Sequence, residues 1–182
     1  MKGGEDMSIY SRDEIEGILK RYGDMIYRMA YIQVKNRDVA DDIYQEVCMR
    51  LVRQKTRIEP EEHLKAWLLR ITINCCKDYW KSSWVQRITW YQTDDANAEE
   101  EATFEQIDMS ENQSMGYVTE CVQRLSQKYR VVIHLYYYED YSQKEIARLL
   151  GKKESTIASW LRRGREQLKT ILNEREACMY EF

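Results

Sequence analysis

The stretch SQKEIARLLGKKESTIASWLRRGREQL, residues 142–168, leaves this chain little choice of fold. Ser142 followed three residues later by Glu145 is a capping box, in which a hydroxyl and a carboxylate each satisfy a backbone N–H at a helix start. Ile146, Leu149 and Leu150 then form an apolar stripe, and Gly151 stands where a left-handed residue ends a helix. Glu154 or Ser155 is expected to cap a second helix that turns Ile157, Leu161 and Leu168 inward. Ala147 and Gly151 are small where two helices must meet steeply. The spacing of Ala147, Gly151 and Ile157 is that of a helix-turn-helix.

That packing leaves the other side of the second helix for solvent. The positions expected to face outward are Ser155, Thr156, Ala158, Ser159, Arg162, Arg163 and Lys169. A DNA major groove accepts an α-helix, and Arg forms bidentate contacts with guanine or phosphate. Hydroxyls and amides at a helix start suit phosphates. A basic outer face in register with the cap, the glycine and the apolar positions points to duplex DNA.

The rest of the chain is not basic. Net charge is −3 overall, with +2 over residues 1–87, −8 over 88–116 and +3 over 117–182. The acidity is concentrated in TDDANAEEEATFEQIDMSENQS, which is poor in large apolar residues and reads as a solvated linker. The chain is therefore expected to be all-α: two small helical domains, residues 1–87 and 114–182, joined by a flexible acidic linker, residues 88–113. One proline, seven glycines and little alternation of β-branched residues agree with helix throughout. In the C-terminal domain, Val118, Cys121, Val122 and Leu125 share one helical face, and Ser126 is placed to cap the next helix. The run Tyr136–Tyr138 reads as core between helices, and His134 as a core histidine.

The N-terminal block opens with a second capping box, Ser11 and Glu14, ahead of Ile15, Ile18, Leu19, Tyr22, Ile26 and Met29 at helical spacing. Asn36, Arg37 and Asp38 interrupt the pattern, and Asp38 is expected to cap a helix with Ile43, Val47 and Leu51 inward. Asp42, Gln45, Glu46, Arg50 and Arg53 fall on its other sides. Pro60 suits the first turn of a third helix, whose inward stripe reads Leu64, Leu68, Ile71 and Cys75. Trp67, Arg70, Asn74, Lys77 and Lys81 recur every three or four residues on the opposite side, with Tyr79, Trp80 and Trp84 close behind. A stripe of cations, an amide and aromatic rings can follow phosphates and stack on bases.

Other function classes find no support. No phosphate-cradling glycine loop, nucleophile–base pair or metal set assembles from the sequence. Cys75 and Cys76 are adjacent and point about 100° apart on a helix, and with His63 and His134 as the only histidines no zinc site is expected. Neither a catalytic residue nor a cofactor is expected. The start, MKGGEDMSIY, has no apolar signal core, and no stretch approaches the roughly 18 apolar residues of a membrane span. Reduced thiols in a cytoplasmic protein without membrane insertion fit these features.

LSQKYRVVIHLYYYEDYSQKEIARLLGKKESTIASWLRRGREQL, DVADDIYQEVCMRLVR and AWLLRITINCCKDYWKS resemble the two conserved blocks of bacterial sigma-70 family sigma factors. Their order, with an acidic linker between, is similar to the small extracytoplasmic-function (ECF) type. The resemblance implies a factor that binds core RNA polymerase, directs it to promoters and nucleates melting. It assigns Asp42, Gln45 and Glu46 to the clamp helices of the polymerase β′ subunit. It places Trp67, Asn74 and Asp78 at melted −10 DNA, with Arg70, Lys77 and Lys81 beside them. Residues 55–63 correspond to the segment that pockets an extruded base. Ser159, Arg162 and Arg163 correspond to residues facing the −35 groove, with Ser155 and Ala158 beside them and Thr156 on the backbone. The linker is implied to thread toward the RNA exit path, and an anti-sigma factor is an implied partner. Neither an autoinhibitory N-terminal region nor a middle domain is expected of this type. Ala158, Trp160 and Gly164 depart from the family's usual residues at these positions. A stand-alone helix-turn-helix regulator with a helical dimerisation or sensory domain is the alternative.

Overall fold

The computed structural model describes residues 9–88 and 117–179, with side chains over 9–82 and 118–174. Seven α-helices and no strand occur among the described residues: α1 (Arg12–Val34), α2 (Arg37–Val52), α3 (Glu61–Ile88), α4 (Tyr117–Gln123), α5 (Gln127–Tyr137), α6 (Gln143–Leu150) and α7 (Glu154–Met179). The chain divides into two units, Met1–Ser82 and Ser83–Phe182. Of the expected linker, Ile88 is still the last residue of α3 and residues 89–113 lie outside the described residues.

In the first unit the Ser11–Glu14 capping box is complete in both directions, so the start of α1 is fixed by its own sequence. Lys35, in the left-handed region at φ 59°, ends α1, and its N–H donates to the Tyr31 carbonyl. The expected cap at Asp38 is not the one used. Asn36 is the N-cap of α2, its side-chain oxygen accepting from Val39 N–H at 3.0 Å, and Asp38 sits in the first turn. Having left α1 at Lys35, the chain reaches extended geometry at Asn36, two residues before the aspartate can serve. Pro60 lies just ahead of α3 rather than inside it, its carbonyl accepting from His63 and Leu64 N–H.

The core of this unit is Met25, Ile26, Met29, Ala30 and Ile32 of α1, Ala40, Ile43, Val47 and Leu51 of α2, and a broad sector of α3. Leu64, Leu68 and Cys75 are buried as the sequence suggested, but Ile71 is only half-buried. Leu69, Thr72, Ile73 and Cys76, absent from the expected stripe, are buried as well. The sector is wide because α3 is covered from two sides. Glu61 at its start accepts from Tyr22 of α1 and pairs with Arg21, Trp80 near its far end donates to the Gln33 carbonyl, and Cys75, Asp78 and Tyr79 face α2.

The second unit gathers α4, α5 and α6 around α7. Ser142 and Glu145 form the expected box, and Gly151 ends α6 in the left-handed region at φ 63°. Lys153, not Glu154 or Ser155, supplies the carbonyl that starts α7, accepting from Thr156 and Ile157. Ser126 occupies the N-cap position of α5 but its hydroxyl makes no cap bond. Cys121, Val122 and Leu125 are buried, whereas Val118 is exposed. His134 is fully buried, its Nε2 3.6 Å from a Glu139 oxygen, with Tyr138 stacked on the ring at 5.0 Å.

The tyrosine run is not core. Tyr137 is 54% and Tyr138 40% exposed, and Tyr136 is half-buried, because α5 ends at Tyr137 and the rings fall past the packed part of the helix. At Gly164 a Cβ would lie 3.2 Å from Ile133 Cγ1 and 3.3 Å from Tyr129 Cβ, so the missing side chain sets how closely α7 crosses α5. Gly164→Leu is expected to destabilise the second unit by about 1–3 kcal/mol through overpacking. Gly151→Val should cost about 1–2 kcal/mol through left-handed strain. Chemical denaturation followed by circular dichroism measures both.

Candidate nucleic-acid interface

The α3 stripe exists as a surface. Arg70, Asn74, Lys77, Asp78 and Lys81 are exposed and Trp67 is half-buried, opposite the core sector that holds Leu68, Leu69, Thr72 and Cys76. Residues three or four apart on a helix lie one above another, so these six make one continuous band along the helix. Of the aromatic residues that follow, Tyr79 and Trp80 do not extend it. Trp80 turns to α1, where its indole N–H donates to Gln33, and Tyr79 lies in the α2–α3 groove with its ring edge-on to Trp80 at 5.5 Å. The Trp84 side chain lies outside the described residues.

On α2, Asp42, Gln45 and Glu46 are exposed together. The same face carries two apolar residues that sequence reasoning passed over, Met49 at 44% and Val52 at 38% exposure. Positions 42, 45, 46, 49 and 52 follow the helical repeat, so the face is acidic at one end and apolar at the other. The signal was present: Met49 and Val52 continue the spacing of the acidic residues rather than that of Ile43, Val47 and Leu51. Exposed apolar side chains flanked by charges are what a protein partner's helix surface can use.

Between α2 and α3 runs a groove of about 260 Å³ lined by Val39, Asp42, Ile43, Glu46, Arg50, Cys75, Asp78 and Tyr79. It brings Asp78, which the resemblance placed with the DNA band, beside Asp42 and Glu46. Arg50 bonds Glu46 at 2.6 Å, and its pKa is raised first by that bond, with Cys75 and Asp78 adding to it. Burial pushes the Cys75 thiol at the groove's edge upward, so it stays protonated and unreactive at neutral pH. The α2 face and the α3 band are thus neighbouring surfaces that meet at Asp78.

On α7, Ser155, Ala158, Arg162, Arg163 and Lys169 are exposed, and Thr156 and Ser159 are half-buried. Ile157, Leu161 and Gly164 occupy the buried side, with Leu168 half-buried. Arg162 is already engaged, donating to Glu166 at 2.7 Å one turn further on. Arg165, not singled out from the sequence, stacks over Tyr136 at 5.2 Å and Tyr137 at 5.6 Å. Reading those tyrosines as core concealed the contact.

Two family profiles match in the order of the two units. "Sigma-70 region 2" covers residues 18–86 and "Sigma-70, region 4" covers residues 115–168. The chain belongs to the sigma-70 family. It is a sigma factor of the ECF type, and α6–α7 is the helix-turn-helix of its region 4. It is 28% identical over 167 residues to the ECF sigma factor SigM of Bacillus subtilis, covering 87% of this chain and 95% of that protein. It is 26% identical over 148 residues to sigma factor SigZ of Bacillus subtilis, covering 81% and 79%. Against the ECF sigma factor SigE of Mycolicibacterium smegmatis it is 29% identical over 170 residues, spanning 93% of this chain but 64% of that one. In fold it resembles the sigma factor RpoE of Bartonella quintana, crystallised with the anti-sigma factor NepR, at a TM-score of 0.66 and 21% identity, covering 88% of this chain and 98% of that one. It also resembles CnrH, solved in complex with the cytosolic domain of CnrY, at a TM-score of 0.62 and 18% identity, covering 90% of each.

Of this sigma factor's described helices, none is long and apolar enough to cross a membrane. The division of α3 into core and band makes a direct prediction. Asn74→Ala should change stability by no more than about 0.5 kcal/mol, whereas Leu68→Ala should cost about 2–5 kcal/mol, as read from urea unfolding of the full chain.

Proposed function

We propose that the α2 face of Asp42, Gln45 and Glu46, continued by Met49 and Val52, docks core RNA polymerase on the β′ clamp helices. The α3 band of Trp67, Arg70, Asn74, Lys77, Asp78 and Lys81 then holds the −10 strand. Ser155, Thr156, Ala158, Ser159, Arg162 and Arg163 of α7 enter the −35 major groove, Arg163 being the exposed guanidinium without Arg162's carboxylate one turn away. Residues 55–63 pocket a base extruded from the −10 element, and stacking there offsets an unstacking cost of a few kcal/mol. The chain acts by binding, not as an enzyme, and works in the cytoplasm.

The observation that carries this reading is the coexistence of an acidic–apolar face and a polar cationic band on one unit with a helix-turn-helix on the other. A stand-alone regulator explains α6–α7 and leaves the α2 face without a role. Weak net positive charge over residues 1–87 and 117–182 suits a factor to which polymerase adds phosphate contacts, and an acidic linker opposes binding to nonspecific DNA. The two structural neighbours named above were solved with an anti-sigma factor or a cytosolic partner domain, which supports a similar inhibitory partner for this chain.

The test is reconstitution with bacterial core polymerase. The full chain should form a stoichiometric complex, and Asp42→Lys with Glu46→Lys should weaken it at least about tenfold. Arg162→Glu with Arg163→Glu should leave that complex intact and abolish run-off transcription from genomic promoter fragments. Tight binding to a palindromic duplex by the chain alone, without polymerase, would support the regulator instead.

A further inference from the structure

The segment between α2 and α3, residues 53–60, has no helix or strand to define it. What shapes it comes from the other end of the unit. Ile9 N–H donates to the Gln54 carbonyl at 3.4 Å, and Ile58 N–H donates to the Tyr10 hydroxyl at 2.8 Å across 48 residues of sequence. Arg57 lies over the Tyr10 ring at 5.5 Å, forms an ion pair with Glu14, and bonds Glu59 through Nε at 3.0 Å. Tyr10 itself is buried, so its ring is a fixed platform rather than a loose side chain.

Glu14 is fixed independently. It is the N3 residue of the α1 capping box, and one of its oxygens accepts the Ser11 N–H at 2.8 Å while the other meets Arg57. The carboxylate cannot follow Arg57 outward without opening the helix start. Along the loop, contacts reach Gln54, Arg57 and Ile58, whereas Lys55 and Thr56 between them are exposed. Tyr10, Glu14, Arg57 and Ile58 also form one wall of a cleft of about 840 Å³ that Tyr22 and Leu64 complete.

We infer that Tyr10, Glu14 and Arg57 form a clasp that holds the 55–60 loop in its base-capturing shape, and that they are positioning residues for opening the −10 element. The inference rests on the sigma-factor reading above. A pocket for an extruded base must exist before the base leaves the stack, because ordering the loop at that moment would add to the unstacking cost. A loop without a ladder of its own gains that order only from ties to rigid elements, and here the rigid element is the capped start of α1. Tyr10 and Glu14 lie outside the α3 band, the α2 face and residues 55–63, so their effect reaches the base pocket through Arg57 and Ile58, the loop residues they hold.

The experiment uses holoenzyme made from bacterial core polymerase and the full chain, with Tyr10→Phe, Arg57→Gln, Glu14→Gln and Arg57→Lys. The template is a genomic fragment that the unmodified holoenzyme transcribes, offered fully duplex and with a non-complementary bubble across its −10 element. Run-off from the duplex should fall about fivefold for Tyr10→Phe, in line with one lost hydrogen bond, and at least as far for Glu14→Gln and for Arg57→Gln, which gives up its contacts with Tyr10, Glu14 and Glu59 together. The bubble template, which needs no base extrusion, should stay within about twofold, core affinity should be unchanged, and Arg57→Lys should restore part of the duplex signal. Leu68→Ala, a core change elsewhere, should instead lower both templates together. Equal losses on both templates for the clasp variants, or no loss on the duplex, would overturn the inference while leaving the sigma-factor reading standing. An unmodified holoenzyme that transcribes no genomic fragment, duplex or bubble, would overturn both.

Discussion

The first unit depends on one helix being two things at once. α3 buries enough of its circumference to tie α1 to α2, yet leaves a continuous polar strip exposed. It does so because Leu64, Leu68, Leu69, Thr72, Ile73, Cys75 and Cys76 fill one sector without a charged side chain among them, while Arg70, Asn74, Lys77, Asp78 and Lys81 stay out of it. Removing a large side chain from that sector is costly because the cavity left behind does not collapse. Thr72, the one hydroxyl in the sector, is satisfied locally by donating to the Leu68 carbonyl at 2.8 Å. A polar residue can thus sit in the core without disturbing the division of the helix.

The second unit solves a similar problem with backbone instead of side chains. Gly151 turns the chain through the left-handed region, and Gly164 lets α7 approach α5 to within what a methyl would crowd. Between these two glycines lies the stretch of α7 that carries Ser155, Arg162 and Arg163. Its outward face follows from where the helix starts and how closely it crosses, and the capping box at Ser142 fixes the element on which it rests.

Much of this was legible in the sequence where the signal is local. Both capping boxes, Gly151 and the outer face of α7 depend on residues within one or two turns of each other, and the chain folds there as those residues dictate. Reading failed where a tertiary neighbour decides. Asn36 and Asp38 are equally able to cap, and the choice follows from where α1 lets go of the chain. The α3 core was underestimated because one stripe suffices for one partner helix, and α3 has two. Tyr136 to Tyr138 looked like core because aromatic rings usually are, but a helix end offers them no cover and Arg165 uses two of the rings. The clasp on the 53–60 loop joins residues more than forty positions apart and leaves no periodic trace at all.

The Arg162–Glu166 pair changes what α7 presents to a duplex. Its guanidinium, though exposed, already has a carboxylate tethered one turn away on the same helix. A base edge or phosphate must displace that internal competitor, so only the difference between the two partners is gained. A poorly aligned site gives Arg162 no reason to leave Glu166, while a well-aligned one does. In the −35 role proposed for it, the side chain would work as a weak comparator, because an exposed pair of this spacing offsets only about 0.3–0.5 kcal/mol of the attraction a bare arginine has for any stretch of DNA.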